Sequence, residues 1–92
     1  MRFEWDPDKA AANLAKHRVS FELASRLWND PLIDIRLESV VDGEERWMAV
    51  GLVRSMTILA VVHVHPDAFD EDLIRIISAR RATPHERRRY ER

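Results

Sequence analysis

Two places in this chain carry the residue types that phosphate chemistry requires. Lys16 and His17 are adjacent, and Asn13 lies one helical turn before them. A cation beside an imidazole can hold a phosphate and move a proton. The lysine charge also favours the neutral, basic form of its neighbour. The same pair would equally complement the dipole at a helix C-terminus. The second place is the stretch "IRIISARRATPHERRRY", residues 74–90. Seven of the fifteen basic residues are arginines at or after Arg75. The planar fork of arginine matches phosphate oxygens, on which charge develops during phosphoryl transfer. Strict strand alternation sets Arg75, Ile77 and Ala79 on one face and Ile74, Ile76, Ser78 and Arg80 on the other. Both arginines could instead serve salt bridges at a sheet rim.

Two further groups are weaker. Glu45 stands between Glu44 and Arg46 at a strand start. Its carboxylate could act as a base or fix Arg46, or the group could be a solvated turn. His63 and His65 share a strand face, as a metal pair would. No cysteine exists, and no carboxylate lies at ligand spacing beside them. Glycine-rich phosphate loops, a G-x-S-x-G elbow and an H-E-x-x-H helix are all missing.

The elements that must position these residues can be read from period and punctuation. Arg2–Trp5 alternates, as a short edge strand does. Asp6-Pro7 signals a helix start, and the helix runs to about Lys16 or His17, with Ala10, Ala11 and Leu14 on its buried side. Ser20 caps a second helix whose stripe is Phe21, Ala24, Leu27 and Trp28. Asn29-Asp30-Pro31 ends it. The period then becomes two. Strands are expected over 32–38, 46–53, 57–65 and 73–79, with a hairpin turn at Asp42-Gly43. The short connections imply an antiparallel meander. Thr83-Pro84-His85-Glu86 reads as a capping box opening a last helix. That helix offers only Tyr90 as a large apolar group, so it is expected to dock weakly or on a partner.

Ninety-two residues make one domain, 1–92, with no linker or repeat. The 46% apolar content and small net charge argue against disorder. The charge is nevertheless split. Residues 1–74 carry eight Lys/Arg against fourteen Asp/Glu, and residues 75–92 carry seven arginines against two glutamates. Such asymmetry suits a polyanion or an acidic partner at the basic end. The start MRFEWDPDK shows no signal-peptide core, and the longest apolar run, Ile58–Val62, is too short for a bilayer. The basic helix lacks the apolar face that membrane-surface binding needs.

In order, "FEWDPDKAAANLAKHRVSFELA", "W-NDP", "GEERW-AVG" and "IRIISARRATPHERRRYE" resemble the BrnT family, toxins of type II toxin–antitoxin modules. The resemblance spans nearly the whole chain. It implies an α+β, RelE-like fold: a small antiparallel sheet with two N-terminal helices and one C-terminal helix. It also implies cleavage of RNA in the bacterial cytoplasm, inhibition of translation and neutralisation by a cognate, BrnA-like antitoxin. Operator DNA would be met only through that antitoxin. The chain departs from the family pattern at Arg18, where a glycine is usual, and at Met56-Thr57 and His65-Pro66, near which arginines are usual.

The expected activity is metal-independent endoribonuclease action with no cofactor and no metal. The RNA's own 2′-OH would be the nucleophile. Catalytic candidates are Lys16, His17, Glu45, Arg75 and Arg80, with His17 or Glu45 as base or acid. Arg46, Arg54, Arg81, Arg87 and Tyr90 are the further RNA-binding candidates. The alternative is an inactive RNA- or DNA-binding or protein-interaction subunit using the same basic end.

Overall fold

Asp6 accepts a hydrogen bond from the Asp8 amide, and Pro7 presets the next backbone angle. These two residues separate a first strand, β1 (Arg2–Glu4), from the first helix, α1 (Pro7–His17). The computed structural model describes all of residues 1–92. A short α2 (Phe21–Ser25), capped by Ser20, tightens into a 3-10 turn over Arg26–Asn29. Then come β2 (Asp34–Val41), β3 (Glu44–Arg54), β4 (Thr57–Val64), β5 (Leu73–Arg81) and α3 (Pro84–Tyr90). A single continuous helix was expected over Phe21–Trp28. The tighter turn instead buries Leu27 fully and sets the Trp28 ring edge-on to Phe3 and His63.

The five strands form one sheet in the order β1-β5-β4-β3-β2. Strands β2 to β5 are the expected antiparallel meander, but β1 lies parallel to β5. The sheet is therefore mixed. Parallel pairing needs a long connection, and everything between Glu4 and Leu73 supplies it. The Asp42-Gly43 turn has both residues at positive φ, 51° and 80°, as a two-residue hairpin requires.

Apolar residues fill both faces of the sheet. On the face toward α1 and α2 lie Val19, Phe21, Ala24, Leu27, Ala49, Leu59, Val61, Ile76 and Ala79. On the other face Met48, Val50, Ile58 and Ala60 are covered by Ala82 and Tyr90. Gly51 allows the 3-10 turn to approach the sheet. A Cβ there would sit 3.1 Å from both Leu27 Cγ and Asp30 Oδ2.

Helix α1 packs Ala10 against the core, as expected, but turns Ala11 outward. Leu14 is 48% exposed, and the buried residue is Asn13. Its Nδ2 donates to the carbonyls of Val19 (3.0 Å) and Ala79 (2.8 Å), and its Oδ1 accepts from the Ala79 amide (3.1 Å). The cause lies in β1, whose pairing stops at Arg75. Beyond that point the outer edge of β5 has no strand beside it, and the Asn13 amide replaces one. Leaving those backbone groups buried and unpaired would cost about 1–3 kcal/mol each.

A bulge in β5 alters which residues share a face. Val62 pairs with Ser78 and His63 with Ile76, so Ile77 is the extra residue. The alternation reverses there. Ile76 and Ala79 consequently share the helix face. Arg75, Ser78 and Arg80 line up beside Val64, Val62 and Ala60 on the other face. Strict alternation had put Arg75 and Arg80 on opposite faces.

Candidate functional site

Strand register fixes a level for each charged residue. Arg80 pairs with Ala60 and Arg81 with Leu59, near the end of the sheet where Arg54 pairs with Thr57. Helix α1 starts after Glu4, beside Arg75, and has reached Ala79 by Asn13. Its last turn carries Lys16 and His17 about 5 Å further in the same direction. Lys16, His17, Arg54, Arg80, Arg81 and the start of α3, with Arg87, therefore gather at one rim. Lys16 and Arg81 are exposed and His17 is half-buried on the helix side; Arg80 emerges on the α3 side.

Arg80 is bonded as well as charged. Its Nη1 donates to Glu86 Oε1 at 2.7 Å and its Nη2 to Oε2 at 3.0 Å. Glu86 also accepts the Thr83 amide, while Thr83 Oγ1 accepts the Glu86 amide, so the expected capping box is complete. The Glu86 bond holds Arg80 more firmly protonated, against the cost of burial, and the field of Glu38 adds to this. The Arg80 bond pulls the Glu86 carboxyl down to about 2.

Helix α3 has a second anchor. The Tyr90 hydroxyl donates to Asp30, whose carboxylate also accepts the amides of Leu52 (2.8 Å) and Leu32 (2.9 Å). Burial opposes ionisation of Asp30, and these three donors outweigh it, leaving its pKa below the usual value. The same bond pushes the Tyr90 phenol up to about 12. So α3 is fastened at both ends, although weak docking was expected of it. Tyr90 also has its hydroxyl engaged rather than offered to RNA. Asn29-Asp30-Pro31 signals a helix stop in the sequence, and nothing in its spacing marks Asp30 as an acceptor for three donors.

The opposite rim is acidic. Asp42, Glu44, Glu45, Asp67 and Glu71 line an open cleft of about 780 Å³ with Trp47 and His65. Glu45 stands five residues before Val50, which is level with Ala60 and Arg80. That is roughly 17 Å along the strand. Arg75 belongs to this end too, and its Nε and Nη2 donate to Glu4 Oε2 at 3.1 and 2.8 Å. Arg46 pairs with Ser39 near the same end, and its Nε is buried without a partner. The register thus sets Lys16, His17, Arg54, Arg80, Arg81 and Arg87 at one end of the sheet, divided between its two faces, and leaves Glu45, Arg46 and Arg75 at the other.

His63 is fully buried, edge-on to Trp28 at 4.9 Å and to His65 at 5.5 Å. Burial pushes its pKa down to about 4, and Nε2 has no hydrogen-bond partner. No group of three His, Cys, Asp or Glu side chains is placed to hold a metal ion.

Comparison with known proteins adds to this geometry. Residues 5–86 match the family described as "Ribonuclease toxin, BrnT, of type II toxin-antitoxin system". The crystal structure of the Brucella abortus ribonuclease toxin, BrnT, matches with a TM-score of 0.64 and 24% identity. The match covers 90% of this chain and 97% of that one. At that identity the likeness speaks for the fold: α+β, with one five-stranded sheet and three helices. No curated protein matches the chain.

Proposed function

Because the chain belongs to the BrnT family of type II toxin–antitoxin ribonuclease toxins, we propose that it cleaves single-stranded RNA at its basic rim, without a metal ion. The observation that carries this reading is the segregation of charge. An imidazole and four cations at Lys16, His17, Arg54, Arg80 and Arg81 stand at one rim, and the carboxylates Glu44, Glu45, Asp67 and Glu71 stand at the other. A polyanion is drawn to the first rim and repelled from the second.

In this mechanism the 2′-OH of the RNA attacks the adjacent phosphate. His17 takes its proton and, as the imidazolium so formed, gives that proton to the leaving 5′-oxygen. Lys16 and Arg81, both free of carboxylate partners, neutralise the charge developing on the phosphate oxygens. Arg80 contributes from the far side of the strand while Glu86 holds its fork in place. Arg54 and Arg87 extend the track along the backbone. Glu45 and Arg75 have no part in this version, since each sits at the acidic end.

The partner side of the reading is a cognate, BrnA-like antitoxin that covers the rim and meets operator DNA on behalf of the complex. No helix is long and apolar enough to cross a membrane, and we place the reaction in the cytoplasm, where messenger RNA is found. One observation favours a second reading, an RNA-binding subunit without catalysis: Arg75 and Arg80 are both already bonded to carboxylates.

Cleavage kinetics of two variants separate these possibilities. His17→Ala should lose about 100-fold or more in rate, while Glu45→Gln should stay within about twofold of the parent protein. Loss on Glu45→Gln with His17→Ala unaffected would move the site to the acidic rim. No cleavage by the parent protein, with RNA binding retained, would establish the second reading.

A further inference from the structure

The two edges of the sheet are treated differently. At one edge β1 is only three residues long, and Asn13 covers the backbone of β5 beyond it. At the other edge β2 runs for eight residues, and every one from Ile35 to Val41 is exposed. Ile35 (41%), Leu37 (49%) and Val40 (58%) are large apolar side chains. Their partners in β3 are Ala49, Trp47 and Glu45, which places all three on the helix face of the sheet. A long apolar strand with a free row of amides and carbonyls is a template for another strand.

We propose that β2 is the docking strand for the antitoxin, which adds an extended segment to this edge and covers the arginines of α3 with an acidic flank. The inference rests on the toxin reading, which supplies the partner. The charge pattern supplies the chemistry of the segment. The Asp34 end of β2 adjoins α3, where Arg89 Nε approaches the Asp34 carboxylate at 3.9 Å. Beside it, His85, Arg88, Arg89, Glu91 and Arg92 line a shallow cationic groove. A segment paired along β2 sets alternate side chains against the stripe at Ile35, Leu37 and Val40 on the α1/α2 face, and the side chains between them toward the other face, where α3 and its groove lie beside Asp34. It therefore needs alternate apolar residues along the strand and carboxylates where it passes Asp34. A second copy of this chain fits less well. Its own β2 carries Asp34, Arg36 and Glu38 and has no acidic run to meet the arginines.

Binding of the antitoxin encoded with this toxin, followed by calorimetry, tests the proposal. The double variant Ile35→Lys, Leu37→Lys should bind at least tenfold more weakly, with RNA cleavage by the free protein unchanged. Hydrogen exchange of the parent protein should show the β2 amides slowing in the complex, and this holds whether or not the variant folds. Arg88→Ala with Arg92→Ala should weaken binding and flatten its dependence on salt. Unchanged binding by the lysine variant, β2 amides that exchange equally fast in the complex, or an unaltered salt slope would overturn the proposal. So would a dimer of the free protein that the lysine variant splits while antitoxin binding persists. A parent protein that cleaves no RNA, yet loses antitoxin through the edge variant, would overturn the ribonuclease reading and leave the docking strand standing.

Discussion

The Tyr90 hydroxyl donates to the carboxylate of Asp30, a residue 60 positions earlier in the chain. That one bond ties the last turn of α3 to the turn that precedes β2. A helix of seven residues is too short to persist alone in water, so its tethers decide whether it is ordered. Tyr90→Phe should cost about 1–2 kcal/mol, because a charged acceptor loses one of three donors. The loss should appear as faster hydrogen exchange at residues 84–90. An unchanged melting temperature and unchanged exchange would mean that apolar cover by Ala82 and Tyr90 suffices to hold the helix.

The other tether is Arg80–Glu86. The carboxyl of Glu86 titrates at about 2 in the folded protein, against 4.5 in the unfolded chain. A depressed carboxyl contributes stability that is complete above pH 4.5 and is lost as pH falls toward 2. The pair is partly exposed, so the contribution is about 1–2 kcal/mol after screening. Glu86→Gln should remove it and flatten that part of the acid denaturation curve. Denaturant melts at pH 6 and pH 3 would show this as a smaller gap in the variant than in the parent protein.

His63 gives a second pH window. Burial holds its pKa near 4, whereas the unfolded chain protonates it at 6.5. The unfolded state therefore binds more protons between these values. Stability is complete above pH 6.5 and declines as pH falls toward 4, by about 3 kcal/mol for this shift. His63→Phe should lack the decline while keeping a ring against Trp28. Equal pH slopes for the two proteins between pH 6.5 and 4.5 would contradict the buried neutral imidazole.

Arg18 sits at φ 61°, where it closes α1 by donating its amide to the Leu14 carbonyl. This left-handed conformation favours glycine, the residue that the resemblance to BrnT proteins leads one to expect at this position. Arg18→Gly should raise stability by about 0.5–1 kcal/mol in thermal melts. A fall instead would show that the arginine side chain makes a contact worth more than the backbone strain.

The period-two segments, the Asp-Gly turn and the three helix caps were legible in the sequence because each is decided within a few residues. Other features were decided by distant partners. Strand β1 found β5 only after the whole chain had intervened. The bulge at Ile77 has no local signature, and it alone puts Arg75 and Arg80 on one face. Asn13 looked like a neighbour of Lys16 and His17, and its burial follows from where β1 happens to stop. The candidate site was legible by residue type and less so by place. Lys16, His17 and Arg80 were marked by their chemistry, while only the strand register removes Glu45 and Arg75 to the acidic rim.

The central claim is that this rim cleaves RNA through the substrate's own 2′-OH, with side-chain cations and no metal. Its most direct test is the product made by purified, antitoxin-free protein from a single-stranded RNA in excess EDTA. The account predicts cleavage at the parent rate in EDTA, a 2′,3′-cyclic phosphate at the new end, and no cleavage where the 2′-OH is replaced by hydrogen. Activity that disappears in EDTA and returns with a divalent metal, or cleavage that survives 2′-deoxy substitution, would contradict it.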